Sequence, residues 1–521
     1  MKPQVKLYDT TLRDGAQREG LSFSVEDKLR ITKRLDDFGI HYIEGGWPGA
    51  NPKDSEYFKR VKTLDLKNAI VVAFGSTRHS KKKPNDDDNL KALTSAGTKA
   101  VCVVGKTWGF HVEHALKTSL EENLRMIEES VAFLKEKGLT VFFDAEHYFD
   151  AHKNNPEYAL KALVAAEKGG ADCLVLCDTN GGALPSDIQG IVKIVKSQLK
   201  TPVGIHAHND GDCAVANSIV AVEAGATQVQ GTINGYGERC GNANLCSIIP
   251  ALVIKWGISC VSDEQLSLLT EISHFVSEVA NVSPNTHQPY VGESAFAHKA
   301  GLHVSALERH NAYEHIDPKL VGNVRRVLVS ELSGKSTIVM KAKDVGLDLG
   351  KKPETVQKIL TTVKELEHIG YHFEAADGSF EILIRKETGT YTAFFELESF
   401  RMIMDKQAGR GVSTEATIKV KCKGRRYVET AEGNGPVNAL DTALRMAIGK
   451  AYPELNDISL TDYKVRVLDE KKGTGAVVRV LIDSTDGEKV WSTIGVSENI
   501  IEASWQALVD SIDYGLTHKK R

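Results

Sequence analysis

The chain has 521 residues, 41% apolar and 26% charged, and 65 Lys and Arg against 69 Asp and Glu give a net charge of −4. That is ordinary globular composition, which excludes a mainly disordered chain, and its slight acidity offers no basic face of the kind a general nucleic-acid binder presents. No apolar run approaches the roughly 18 residues of a membrane span, so neither nucleic acid nor membrane is expected as a partner.

Eight short apolar or β-branched runs mark the first half: Val5–Tyr8, His41–Ile43, Ala69–Phe74, Ala100–Val104, Thr140–Phe143, Cys173–Leu176, Val203–Ile205 and Thr227–Gln230. Amphipathic stretches such as Asp27–Phe38, Leu120–Lys137, Glu157–Lys168 and Asp187–Leu199 fall between them. Strand and helix in alternation imply parallel strands joined by crossovers. Eight such units in about 250 residues is the count of a (β/α)8 TIM barrel, predicted over residues 1–265. Residues 264–280 read as helical, and Val356, Ile359, Leu360, Val363 and Leu366 share one face of a later helix. Residues 266–400 are therefore predicted as helical linker subdomains. In residues 401–521 a pattern of strand, turn, strand, loop and helix occurs twice. The first copy has strands at Thr417–Val420 and Tyr427–Thr430 and a helix from Val437 to Ile448. The second has strands at Val477–Ile482 and Val490–Thr493 and a helix from Ile500 to Ile512. A degenerate repeat of this kind predicts an α+β C-terminal domain for ligand binding or dimerisation.

The eight cysteines include no C-x-x-C pair. No signal or transit pattern precedes the first run, and the expected location is a reducing cytoplasm.

In a barrel the chemistry sits at the C-terminal ends of the strands. Asp9, Glu44, Glu146, Asp178 and His206 abut or end the apolar runs, where unpaired charge is costly. His206 and His208 are i and i+2 at the end of the seventh run and so point to one side. With Asp14 after the first run, they form a two-His, one-carboxylate set suited to a divalent ion with open positions. A His-x-His pair also arises by chance in structural roles, and the barrel geometry is what favours the ion. Arg13 places an always-charged guanidinium beside that set, suited to a carboxylate or a polarised carbonyl oxygen. Asn242, in a Gly-rich loop after the last run, either supplies a further oxygen ligand or positions the loop. His298 and His303 lie outside the barrel segment, either as solvated loop residues or as an acid–base group closing over the mouth.

These residues carry a resemblance. Asp9-Thr10-Thr11-Leu12-Arg13-Asp14-Gly15-Ala16-Gln17 with Lys28, and His206-Ala207-His208-Asn209-Asp210 followed by Ala214-Val215-Ala216-Asn217-Ser218, resemble the two signatures of the 2-isopropylmalate, homocitrate and citramalate synthase family. The run from Gly235 to Ala243 is a third match, and Glu432–Leu444 with Trp491–Ile512 resembles the family's allosteric domain. The segments Glu44–Asp54 and Phe143–Asp150 are most similar to the citramalate branch. One departure is Asp212, an acid where the family usually has a Gly-containing pair.

The resemblance implies an acyltransferase that condenses acetyl-CoA with a 2-oxo acid. For the citramalate branch the acid is pyruvate and the pathway isoleucine synthesis. The alternative is 2-oxoisovalerate, the substrate of the isopropylmalate branch. It further implies Asp14, His206, His208 and Asn242 as metal ligands, with Mg or Mn favoured and Zn compatible. Arg13 and Thr179 are implied at the substrate, and Arg13, Glu146 and His303 in catalysis. A homodimer with isoleucine as feedback inhibitor is expected. Related lyases lack the C-terminal repeat. An iron oxygenase is disfavoured by the α/β barrel, and a non-catalytic amino-acid sensor would leave the barrel inert.

Overall fold

The computed structural model describes residues 4–298, 313–329, 335–344, 346–349, 352–406, 411–468, 473 and 475–519. The chain forms two compact units. One comprises Met1–Phe296 with Ile316–Arg325, and the other Ala297–His315 with Arg326–Arg521.

The first unit is a closed eight-stranded barrel. Its parallel strands are β1 (Lys6–Asp9), β2 (Tyr42–Gly46), β3 (Ile70–Ser76), β4 (Ala100–Lys106), β5 (Thr140–Glu146), β6 (Cys173–Asp178), β7 (Val203–Ala207) and β8 (Gln228–Gly231). β1 pairs with both β2 and β8, which closes the ring. Side chains fill the lumen: Tyr8, Val72, Phe74, Cys102, Phe142 and Val175 pack there. A second, larger apolar layer lies between strands and helices.

All eight predicted strands are present, and several run one to three residues further than their apolar runs. Asp9, Lys106, Glu146 and Asp178 are thus final strand residues rather than loop residues. The charges there are not left bare: Lys106 and Glu146 pair with each other, Asp9 accepts from Thr11, and Asp178 accepts from the Ala183 N–H. The crossover helices follow local sequence rules. In helix Val25–Phe38, Ser24 and Asp27 form a capping box, and Gly39 ends the helix with φ 94°. Leu29, Thr32, Leu35 and Phe38 are buried on its inner face. Helix Leu269–Val279 belongs to this unit, and Arg34 pairs with Glu271 on it at 3.2 Å.

In the second unit β9 (Ala297–His298) pairs in parallel with β10 (Arg326–Val327). Helices Lys335–Asp344, Pro353–His368 and Asp377–Thr388 share an apolar cluster. Two antiparallel sheets follow. One has strands β11 (Glu396–Lys406), β12 (Val412–Cys422) and β13 (Arg425–Gly433) and leads into helix Pro436–Ile448. The other has β14 (Ser459–Val467), β15 (Val478–Thr485) and β16 (Val490–Ser497) and leads into helix Ile500–Lys519.

The repeat is therefore larger than the sequence pattern indicated, with three strands per copy. The added strands β11 and β14 are mostly exposed along their length, so they lack the apolar alternation that reveals a strand. Each carries a register shift near its start, between Leu397 and Ser399 in one copy and Leu460 and Asp462 in the other. Among the described residues no helix is long and apolar enough to cross a membrane.

Candidate active site

The turn after β1 is held from two sides. Asp9 accepts from Thr11 N at 2.9 Å and from the Thr11 hydroxyl at 2.8 Å, and Thr11 Oγ1 accepts from Ile233 N at 2.9 Å. Burial nevertheless pushes the Asp9 carboxyl up to about 7. The turn delivers Arg13 and Asp14 to the mouth. Arg13 Nε donates to Glu44 Oε1 at 2.5 Å, and its guanidinium lies 3.9 Å from the centre of the Phe74 ring. Tyr8 donates its hydroxyl to Glu44 Oε2 at 2.6 Å, so one buried carboxylate is fully engaged. Burial alone would lower the Arg13 pKa, but Glu44 and Asp14 raise it well above the usual value.

Asp14, His206 and His208 are all buried, and one ligand atom of each lies within 4.8 Å of the others. The two Nε2 atoms are 3.2 Å apart, and Asp14 Oδ2 lies 3.3 Å from His206 Nε2 and 3.8 Å from His208 Nε2. Burial would raise the Asp14 carboxyl, but Arg13 and His206 override it and hold the group far below the usual carboxylate range. Burial and the neighbouring His206 push His208 down to about 4, which leaves its imidazole neutral. Burial opposes the charge on His206 too, yet the bond to Asp14 raises its pKa.

Behind His206 stands Gln230 on β8. His206 Nδ1 lies 2.9 Å from Gln230 Oε1, and Gln230 Nε2 donates to Asp144 Oδ1 at 3.1 Å. An amide oxygen only accepts, so Nδ1 carries a proton, and Nε2, directed at Asp14, is the nitrogen that would turn its lone pair to a cation. Burial and the nearby Glu44 raise Asp144 to about 6.

Asn242 completes the cluster. Its Nδ2 lies 2.6 Å from Asp14 Oδ2 and 3.4 Å from His206 Nε2, and its Oδ1 is buried without a partner among the described residues. Turning the amide over would direct that orphaned oxygen at the Asp14–His206 centre. A set of two imidazoles, a carboxylate and an amide oxygen fits a divalent cation with positions to spare. The backbone of Gly237 lies against the same amide, where a Cβ would overlap Asn242 Oδ1.

A cavity of about 630 Å³ opens over these groups, and Arg13, Glu146 and Thr179 also line it. Glu146, last in β5, forms an ion pair with Lys106, last in β4. Thr179 Oγ1 accepts from the backbone N–H of His147 at 2.8 Å. His147 makes that bond from the left-handed region, at φ 55° and ψ 34°. Few residues other than glycine adopt it, and such strain collects at functional sites. His147 Nδ1 lies 3.0 Å from Asp150 Oδ2, and Asn180 donates to Asp150 Oδ1 at 3.2 Å. The loops after β5 and β6 are thereby joined.

Asp14, His206, His208, Asn242, Arg13, Glu146 and Thr179 thus meet at one mouth. His303 lies outside the described residues. His298 is in the second unit, with its Nε2 3.1 Å from Glu314 Oε1. Lys28 is structural, donating to Asp54 Oδ1 at 2.5 Å and to the Gly45 carbonyl at 2.9 Å. Asp212 accepts from Asn209 Nδ2 at 3.2 Å.

Sequence reasoning missed Gln230, His147 and the Glu44–Tyr8 support of Arg13. Glutamines at alternate positions of β8, Gln228 and Gln230, were the available sign of a polar lumen.

Residues 4–276 match the HMGL-like family model. Residues 290–370 match a homocitrate synthase post-HMGL domain-like model, and 374–516 match the LeuA allosteric (dimerisation) domain. The chain is 55% identical over 517 residues to an (R)-citramalate synthase of Geobacter sulfurreducens, spanning 99% of this chain and 98% of that one. It is 54% identical over 519 residues to an (R)-citramalate synthase of Aquifex aeolicus, spanning 99% and 98%. It is 31% identical over 524 residues to a 2-isopropylmalate synthase of Methanocaldococcus jannaschii, spanning 99% and 96%.

Proposed function

Because the chain belongs to the (R)-citramalate synthase family of HMGL-like condensing enzymes, we propose that it joins the acetyl group of acetyl-CoA to pyruvate, with water, giving (R)-citramalate and CoA. The observation that carries this reading is the convergence of Asp14, His206 and His208 beside Arg13 in one cavity. Asp14, His206, His208 and Asn242 hold a divalent cation, Mg or Mn by preference and Zn by compatibility. When bound, it supplies Lewis acidity at the oxo oxygen of the 2-oxo acid.

Arg13, locked by Glu44 and Phe74, directs its guanidinium at the same oxygen. It stabilises the negative charge that develops there as the carbon–carbon bond forms. Thr179 accepts from His147, which leaves its own O–H free to donate to the substrate carboxylate. Glu146 takes a proton from the acetyl methyl, with Lys106 as its counter-charge. His303 is the second candidate for acid–base work. Water then cleaves the thioester and releases the CoA thiol.

The C-terminal sheets and helices match a LeuA allosteric (dimerisation) domain, and we assign them homodimerisation and inhibition by isoleucine, the end product of the pathway this reaction feeds. Ile403, Met404, Val465 and Val467 are large apolar residues left exposed there, consistent with a covered face.

Thiol release measured with pyruvate and with 2-oxoisovalerate tests the reading. The two acids differ by two carbon atoms, and even one methylene in a pocket is worth about 10- to 200-fold, so pyruvate should be preferred by at least tenfold. Equal or greater turnover on 2-oxoisovalerate would move the chain to the isopropylmalate branch. A rate and melting temperature unchanged by any branched-chain amino acid would remove the regulatory assignment.

A further inference from the structure

The cavity over Asp14 and the two histidines does not end at them. Its wall climbs past Val104 and Leu116 to His79, Ser80 and Lys82, on the loop that follows β3. That loop is built as a fixed platform. Arg78 is buried, and its guanidinium bonds Glu129 at 2.7 Å, Glu122 at 2.9 Å and the carbonyls of His79 and Ser80 at 3.2 and 3.4 Å. The Arg78 N–H donates to Ser130 Oγ at 2.9 Å, and the His79 N–H donates to Asp87 at 2.9 Å.

With two backbone carbonyls turned in on Arg78, the loop presents Lys81, Lys82 and Lys83 to solvent. Lys82 pairs with Asp88 at 2.6 Å, whereas neither Lys81 nor Lys83 has an ion-pair partner among the described residues. No other loop at this end of the barrel places two lysines side by side.

We propose that the His79–Lys83 loop binds the 3′-phosphate and diphosphate of coenzyme A, so that the thioester arm descends between the β3 and β4 loops to the floor of the cavity. The proposal rests on acetyl-CoA being the acyl donor. Lysine ammonium groups are point charges that suit a flexible polyanion better than a planar carboxylate. A loop already fixed by Arg78 loses little freedom when the nucleotide docks. The Val104 and Leu116 wall supplies apolar contact for the uncharged pantetheine arm. Asp88 competes with the nucleotide for Lys82.

Calorimetric binding of coenzyme A to the full-length protein tests this without turnover. Each exposed charge contact is worth roughly two- to fivefold in affinity. The triple variant Lys81→Gln, Lys82→Gln, Lys83→Gln should therefore bind coenzyme A about tenfold or more weakly than the natural chain. Pantetheine, which lacks the nucleotide, should bind both proteins equally. Asp88→Asn should tighten coenzyme A about twofold. A triple variant that binds coenzyme A within twofold of the natural chain overturns the proposal, as does an equal loss of pantetheine binding. Should the protein bind coenzyme A through this loop yet release no thiol with pyruvate, the substrate reading fails while this one stands.

Discussion

Replacing Gln230 with leucine isolates the support behind one imidazole. The amide accepts from His206 Nδ1 at 2.9 Å and donates to Asp144 at 3.1 Å, and all three side chains are buried. Leucine keeps most of the volume and removes both bonds. Each buried group left without a partner costs about 1–3 kcal/mol, so the fold should lose a few kcal/mol at most. The larger consequence is for cation binding. Without an acceptor at Nδ1, His206 is free to place its proton on Nε2, the atom 3.3 Å from Asp14 Oδ2. That proton must leave before the nitrogen can coordinate. Loss of such a supporting bond typically lowers metal affinity about 10- to 100-fold. Titration of Mn²⁺ by calorimetry on folded Gln230→Leu should read a weakening in that range, while Gln230→Glu, which restores an acceptor, should stay within a few fold of the natural chain. A leucine variant that folds and binds Mn²⁺ within threefold of the natural chain refutes the reasoning.

Two further predictions concern backbone and charge. If the left-handed His147 acts through its N–H, His147→Gly and His147→Asn, which tolerate φ near 55°, should keep the pyruvate KM within about threefold, and His147→Val should raise it tenfold or more. An equal collapse of kcat in all three would assign the role to the ring instead. In the C-terminal unit, burial raises Asp513 to about 6, against about 3.9 in an unfolded chain. The folded state therefore holds this proton more tightly, and its stabilising effect is complete below pH 4 and lost as pH rises through 6. A shift of that size corresponds to a contribution of up to about 3 kcal/mol. Denaturant unfolding should accordingly show Asp513→Asn gaining stability relative to the natural chain between pH 4 and pH 8. A difference that does not change with pH rejects the assignment.

The barrel could be read from the sequence because several strands, buried on both faces, are continuous apolar runs, as in Cys173-Leu174-Val175-Leu176 of β6. Asp14, His206 and His208 could be read because a strand puts alternate residues on one side and a barrel gathers the C-terminal ends of all its strands at one mouth. Three kinds of feature stayed hidden. Strands β11 and β14 are exposed on most of their residues, and without a buried face there is no alternation to detect. Gln230 and Asp144 gain meaning only from a partner 86 positions away across the lumen. His147 meets Thr179 through its backbone N–H, a contact its residue type does not announce.

Gly237 bears on the proposed cation site through the side chain it does not have. Its missing methyl is the space in which the Asn242 amide turns, because any larger residue would overlap the amide oxygen. Even alanine there would force the Asn242 amide to shift. A library built to retune this enzyme can vary cavity positions that hold neither cation nor substrate, but position 237 is a keyhole that must stay empty.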